Sequence, residues 1–420
     1  MKPNYFTSAA VCLALATPAI AVEKADVLDN YADKAAAKYA DSLASAKVMQ
    51  TSINALVANP SAENLEAAKE AWLAARVPYQ QTEVFRFGNA IVDDWEGKVN
   101  AWPLDEGLID YVDATYDGPT DENAAAALNV IANASFTLGG ETIDASTITP
   151  ALLEDTLQEA DGVEANVATG YHAIEFLLWG QDLNGHGSGA GNRPWSDYAQ
   201  GDACTGGNCD RRAEYLVAAT DLLVSDLEWM TAQWADGGAA RAELTADADA
   251  GIAAILTGMG SLSYGETAGE RMRLGVMLND PEEEQYCYAD NTQNDQIYNG
   301  VGIQSVYLGS YTGIDGTVVS GPSLSDLVAE NDAALDLEMK TKLSDAVLAL
   351  GRIKTAAEAG FTYDMMLERG NDAGEALIMG GVNGLIDQTR SIERVIAVLG
   401  ADGIEIEGSD SLDDPDAVFQ

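Results

Sequence analysis

The chain is poor in the residues that most often announce chemistry. It has two histidines, His172 and His186, and four cysteines among 420 residues. It contains neither H-E-x-x-H nor H-x-x-E-H, the usual zinc-peptidase patterns, and no C-x-x-C-H for covalently held haem. Basic side chains are scarce too: 22 lysines and arginines face 68 aspartates and glutamates, a net charge of −46. That surface repels nucleic acid and anionic lipid, and it reads as a heavily hydrated coat for a salty environment. Beyond the N-terminus no stretch approaches the roughly 18 apolar residues of a membrane-spanning helix.

What is present begins with a leader-like start. MKPNYF is short and basic, residues 7–16 are mostly small and apolar, and Ala19-Ile20-Ala21 fits an A-x-A cleavage pattern. Residues 1–21 therefore read as a signal peptide, leaving an exported, soluble chain from Val22. The remaining roughly 400 residues exceed what one core usually organises, so two domains are expected. Apolar residues recur every three to four positions over 35–56, 65–77, 215–234, 324–350 and 381–399, a helical period. In the last, Val382, Leu385, Ile386, Ile392, Val395, Ile396 and Leu399 form one stripe, and Gly400 supplies a stop. The pattern predicts an all-α protein of two helical bundles, 22–200 and 201–407, with a layout similar enough to suggest duplication. The boundary falls in the glycine-rich stretch 184–210, and the acidic tail 408–420 is too polar to fold. Cys204 and Cys209 bracket the loop TGGN without C-x-x-C spacing or a neighbouring histidine, so a disulfide is expected, with Cys287 left over and buried. Residues 279–323, which hold Glu282, Glu283 and Glu284 and five tyrosines, are too long for an ordinary connection.

The most informative stretch is GYHAIEFLLWGQDLNG, residues 170–185. On a helix, His172, Glu175, Phe176 and Trp179 share one face, while Ala173, Ile174, Leu177 and Leu178 make the other face apolar as well. A helix apolar all round is buried, and a buried imidazole and carboxylate need partners. Two readings stand level: a hydrogen-bonded pair that fixes the core, or two ligands of a metal site. Further ligands would come from residues 71–113. There a helix running into Arg76 and bending near Pro78 brings Glu83 onto an apolar surface, and the turn at 102–106 presents Asp105 and Glu106. For Arg76 with Glu83 or Asp105, a buried salt bridge is as good a reading as ligation.

Together the G-x-H-x-x-E signature at Gly170, His172 and Glu175, AWPLDEGLIDYVD from Ala101, GNRP at 191–194 and the segment 280–309 resemble the imelysin-like family, and within it the iron-regulated protein A branch. The resemblance covers most of the chain beyond the leader. It implies a two-domain, all-helical protein of the periplasm or outer membrane, with a site near the domain interface. In that reading His172, Glu175, Glu83 and Asp105 hold a metal, Arg76 orients a carboxylate, Trp179 walls off water, and Gly170 belongs to the binding signature. Iron is favoured over zinc, with haem as an alternative guest, and the implied partners are a metal ion or iron chelate and a membrane transport component. The family is also classed as metallopeptidases, in which case Glu175 is the candidate catalytic group. His186, in a Gly-His-Gly loop, reads as a solvated surface residue instead of a third ligand. This chain has Gln285 and Gln293 where relatives carry histidines, so a second-domain site is either lost or uses Asp280, Glu283, Tyr286 or Asp290.

Overall fold

The computed structural model describes residues 21–116, 118–120, 123–401 and 403–419. Apart from Ala21, the expected signal peptide lies outside them. The fold is all-helical, as expected, with two small antiparallel hairpins: β1 (Ser135–Leu138) with β2 (Glu141–Asp144), and β3 (Ser310–Thr312) with β4 (Val318–Ser320). Among the described residues no helix is long and apolar enough to cross a membrane.

α1 (Lys24–Ala58) and α2 (Ala62–Gln80) form the first hairpin, with Ser61 capping α2 by accepting the Asn64 N–H at 3.2 Å. α1 begins earlier than the alanine-rich pattern indicated, because Val27, Leu28 and Tyr31 extend its buried face. Pro78 sits in the last turn of α2, where the chain leaves the helix. α3 (Ala90–Val99) and α4 (Glu106–Ile109) lead towards α5 (Gly170–Trp179), and α6 (Cys209–Trp234) packs on α1 and α5. The boundary expected at residue 200 therefore does not separate packing units: α6 belongs with the first bundle. The stretch 184–210 is a crossover, pinned by the Cys204–Cys209 disulfide with a Cα–Cα distance of 6.0 Å. Cys287 is free and buried, as expected.

The second bundle is built on a long helix. α7 (Ala248–Ser261) widens into π-helical turns over Leu262–Arg273 and closes as α8 (Leu274–Leu278). On it pack α9 (Thr292–Leu308) and α13 (Asp372–Leu399), and α11 (Ala333–Glu358) packs on those two. The single helix expected over 324–350 is two. α10 (Leu324–Asn331) stops at Asp332, whose carboxylate caps α11 by accepting the Ala334 and Leu335 N–H groups. In α13, Val382, Leu385, Ile392 and Val395 are buried as the stripe required. One core runs from Val27 to Ala401 through both bundles, and a smaller one lies among residues 268–385. Two buried lysines of α1 tie the bundles together: Lys34 donates to the Ser305 and Val306 carbonyls at 3.1 Å, and Lys38 to the Ser305 hydroxyl at 2.7 Å.

The acidic tail is ordered where the sequence reading left it unfolded. α14 (Asp410–Asp413) lies on glycines of the long helix: side chains at Gly265 and Gly269 would collide with Glu407, Gly408 and Ser409. Ser411 donates to the Gly269 carbonyl at 3.0 Å, and Leu412 packs on the smaller core. The seat belongs to the partner helix, so the polar composition of the tail does not reveal it.

Candidate functional site

α5 starts at a position only glycine fits. Gly170 has φ +77°, and a Cβ there would lie 2.4 Å from the Val99 carbonyl oxygen, backbone that cannot swing aside. The first residue of the signature thus has a packing role; it lets α5 abut the end of α3. Just before it, Thr169 donates to the Lys98 carbonyl at 2.8 Å. All ten residues of α5 are buried.

His172 and Glu175 meet as the three-residue spacing requires, with His172 Nδ1 3.0 Å from Glu175 Oε2 and both side chains withheld from solvent. The other carboxylate oxygen accepts the Ala289 N–H at 3.0 Å. Burial pulls the imidazole well below its ordinary pKa, and the Arg76 and Arg271 cations add to this. Burial pushes the Glu175 carboxyl well up, with Arg76 opposing and Asp290 adding. The low-polarity surroundings thus disfavour charge on either member. His172 Nε2 is buried without a hydrogen-bond partner. Tyr286 lies tilted beside the imidazole, ring centroids 5.1 Å apart, and donates to Gln80 Oε1 at 2.8 Å.

Arg76 does not orient a carboxylate. Its guanidinium donates to the amide oxygens of Gln80 and Asn100 and lies among Tyr171, Tyr286, Tyr79 and Trp72, 4.4 to 5.8 Å from their ring centroids. The aromatic rings, with their electron-rich faces, hold a cation that no acid neutralises directly. Trp179 packs on Trp72 at 5.3 Å and is 4% exposed.

The two distant acids are occupied elsewhere. Glu83, in a short turn at Glu83–Phe85, accepts from Arg271 at 2.9 Å, and Arg271 also pairs with Glu266 and Asp295. Asp105 precedes α4 and accepts from Tyr116 and Asn123. Neither shares a hydrogen bond with His172 or Glu175, so the four expected ligands do not form one hydrogen-bonded cluster. As a metal centre the site offers one free donor, His172 Nε2; the Glu175 carboxylate, expected as a second ligand, is engaged by Nδ1 and by the Ala289 N–H. A cleft of about 530 Å³, lined by Glu96, Asn100, Glu266, Glu270, Arg271 and Gln285 among others, reaches the residues that touch Arg76 and Glu83.

Of the residues offered in place of the missing histidines, Tyr286 reaches the His172 pair and Asp290 lies close enough to bias Glu175. Asp280 only accepts the Glu282 N–H, and Glu283 lines the cleft. Gln293 donates to the Asp290 carbonyl at 2.9 Å. His186 is half-buried, with Nδ1 3.1 Å from the Asp364 carbonyl, so it is less solvated than a Gly-His-Gly loop suggested. The sequence reading missed Arg271, which lies in the π-helical segment, and the Ala289 N–H; no local pattern marks either.

The model of the family described as imelysin (peptidase M75) matches residues 35–392. Iron-regulated protein A of Synechococcus elongatus is 38% identical over 71 residues, 17% of this chain, and the match spans only 20% of that relative. Two solved structures share the fold. One, assigned as an iron-regulated protein A precursor from Parabacteroides distasonis, has a TM-score of 0.63 at 19% identity, covering 90% of this chain and 95% of that one. The other, an imelysin-like protein from Psychrobacter arcticum, has a TM-score of 0.55 at 15% identity, covering 91% and 98%. With a family match over most of its length on a shared helical fold, the chain belongs to the imelysin family.

Proposed function

We propose that this protein is an exported metal-binding member of the family that takes part in iron acquisition in the periplasm or at the outer membrane. The observation that carries the reading is the buried His172 Nε2, which has no hydrogen-bond partner while Nδ1 is engaged by Glu175. Metal-binding histidines commonly use this arrangement: a carboxylate holds one ring nitrogen and thereby aims the other at the ion. Suppression of the imidazolium keeps a lone pair available. A cation bound there would act as a Lewis acid, and Glu175 would hold the Nδ1 proton.

An imidazole donor suits iron or zinc, and the iron-regulated relative favours iron. With one free protein donor, the remaining positions fall to groups brought by the guest, which favours an iron chelate over a bare ion. Haem is the alternative guest, and a membrane transport component the implied partner. The glutamate-rich cleft would concentrate cations at its mouth. Loss of bound metal on His172→Ala, with the helical fold retained, is the test; unchanged metal content would overturn the assignment.

A further inference from the structure

A second group of acids, which the His172 pair does not use, converges from three parts of the chain. Asp182 lies in the loop after α5, Asp290 has φ +50° just before α9, and Asp364 belongs to the short helix α12 (Tyr363–Leu367). One carboxylate oxygen from each lies within 4.8 Å of the others. Oxygens around one calcium ion, at about 2.3–2.6 Å from it, fall within that spacing.

The acids lean on one another, the Asp364 carboxyl lying against both Glu284 and Asp290, and among the described residues no basic side chain neutralises them. Asp364 is 2% exposed and its Oδ2 has no hydrogen-bond donor; Asp290 Oδ1 is likewise buried and without one. Behind them Glu284 is fully buried, and neither of its oxygens has a donor in hydrogen-bonding geometry, although the Asp364 carboxyl and Thr292 hydroxyl lie beside it. Among the described residues no lysine or arginine forms an ion pair with any of the four. The polar contacts present come from the loop: Asn184 N–H on Asp182 at 2.8 Å and Gly189 N–H on Asp290 at 3.1 Å. His186 contributes its contact with the Asp364 carbonyl and a weak favourable field. Burial and the neighbouring acids push the Asp290 carboxyl up to about 7 and the Glu284 carboxyl well above its usual range.

We propose that Asp182, Asp290 and Asp364, backed by Glu284, form a binding site for a hard divalent cation of the calcium class. All the side-chain donors are oxygen, which selects hard ions over those preferring nitrogen or sulfur. The ion fastens the loop after α5 to α12 in the second bundle. It also steadies residue 290, next to the Ala289 N–H that holds Glu175. The site needs neither His172 nor iron.

The test is calorimetric titration of CaCl2 into the chelator-stripped full-length chain at physiological salt, beside Asp364→Asn, Asp182→Asn and His172→Ala. One saturable calcium site is expected, with a rise in thermal midpoint. Asp364→Asn and Asp182→Asn should each weaken it about ten-fold or more, and His172→Ala should leave it intact. Diffuse uptake by the acidic surface barely changes when one charge is removed, so it cannot mimic that loss. Asp364→Asn relieves repulsion and should be at least as stable as the parent in chelator, while Asp182→Asn alters only a half-buried loop residue. No saturable site in the parent, or an affinity in either aspartate variant equal to the parent's, overturns the proposal. Loss of iron alone in His172→Ala bears only on the iron site.

Discussion

Replacing Gly170 by alanine should be one of the costliest single-methyl additions in the molecule. Two penalties add. An L-residue held in the left-handed region costs about 1–2 kcal/mol. The new Cβ would also stand 2.4 Å from the Val99 carbonyl oxygen and 2.6 Å from its carbon; forcing such extra bulk into packed surroundings costs about 1–3 kcal/mol. Gly140, in the turn between β1 and β2, separates the terms, because its φ is +83° yet nothing lies within 4 Å of its would-be Cβ. Gly140→Ala should therefore lose only the conformational part, and Gly170→Ala about 2–5 kcal/mol in all. Urea unfolding followed by circular dichroism reads both from the midpoint shift at a common slope. If the two variants agree within about 0.5 kcal/mol, the ordinary spread for unremarkable sites, Val99 does not dictate the glycine and its role lies elsewhere.

Two further outcomes follow from buried charge. Asp110, 1% exposed, accepts from Arg212 at 2.6 and 2.9 Å and from Arg193 at 2.7 Å. Asp110→Ala leaves the buried Arg212 without a carboxylate and Arg193 with Asp197 alone, and should cost about 3–5 kcal/mol in the same unfolding assay; a loss below about 1 kcal/mol, the range of an exposed pair, would show that the cluster is hydrated. Burial, with the negative field of Glu83 added and Arg86 opposing, pushes the Glu96 carboxyl up to about 7. The native state then keeps a proton that the unfolded chain has already released, so this group's contribution falls as pH rises from the ordinary carboxylate range to about 7. Glu96→Gln should flatten the stability profile in that window by up to about 1.4 kcal/mol per pH unit, and an unchanged profile refutes the elevated carboxyl.

The stretch 170–185 was legible because its information is local. Spacing put His172 and Glu175 on one helix face, and the apolar neighbours required burial; both appear in the structure. The stripe of α13 and the Cys204–Cys209 pair are local in the same sense. What stayed hidden depends on partners distant in sequence. Glu83 is buried as expected, but Arg271, 188 residues away, claims it. Asp105 forms the anticipated turn and then faces Asn123 and Tyr116. Periodicity says which side of a helix is buried and nothing about what lies opposite. For the same reason periodicity does not show that α6 packs with the first bundle, or that the tail has a glycine seat.

The most direct measurement is elemental analysis of the purified chain after exposure to iron and to zinc, with His172→Ala carried in parallel and circular dichroism confirming its helical content. The account predicts stoichiometric metal, iron in preference to zinc, on the parent and none above the background of the acidic surface on the variant. Equal metal on both proteins, or none on either, would contradict it and leave His172 and Glu175 as a hydrogen-bonded pair that fixes the core.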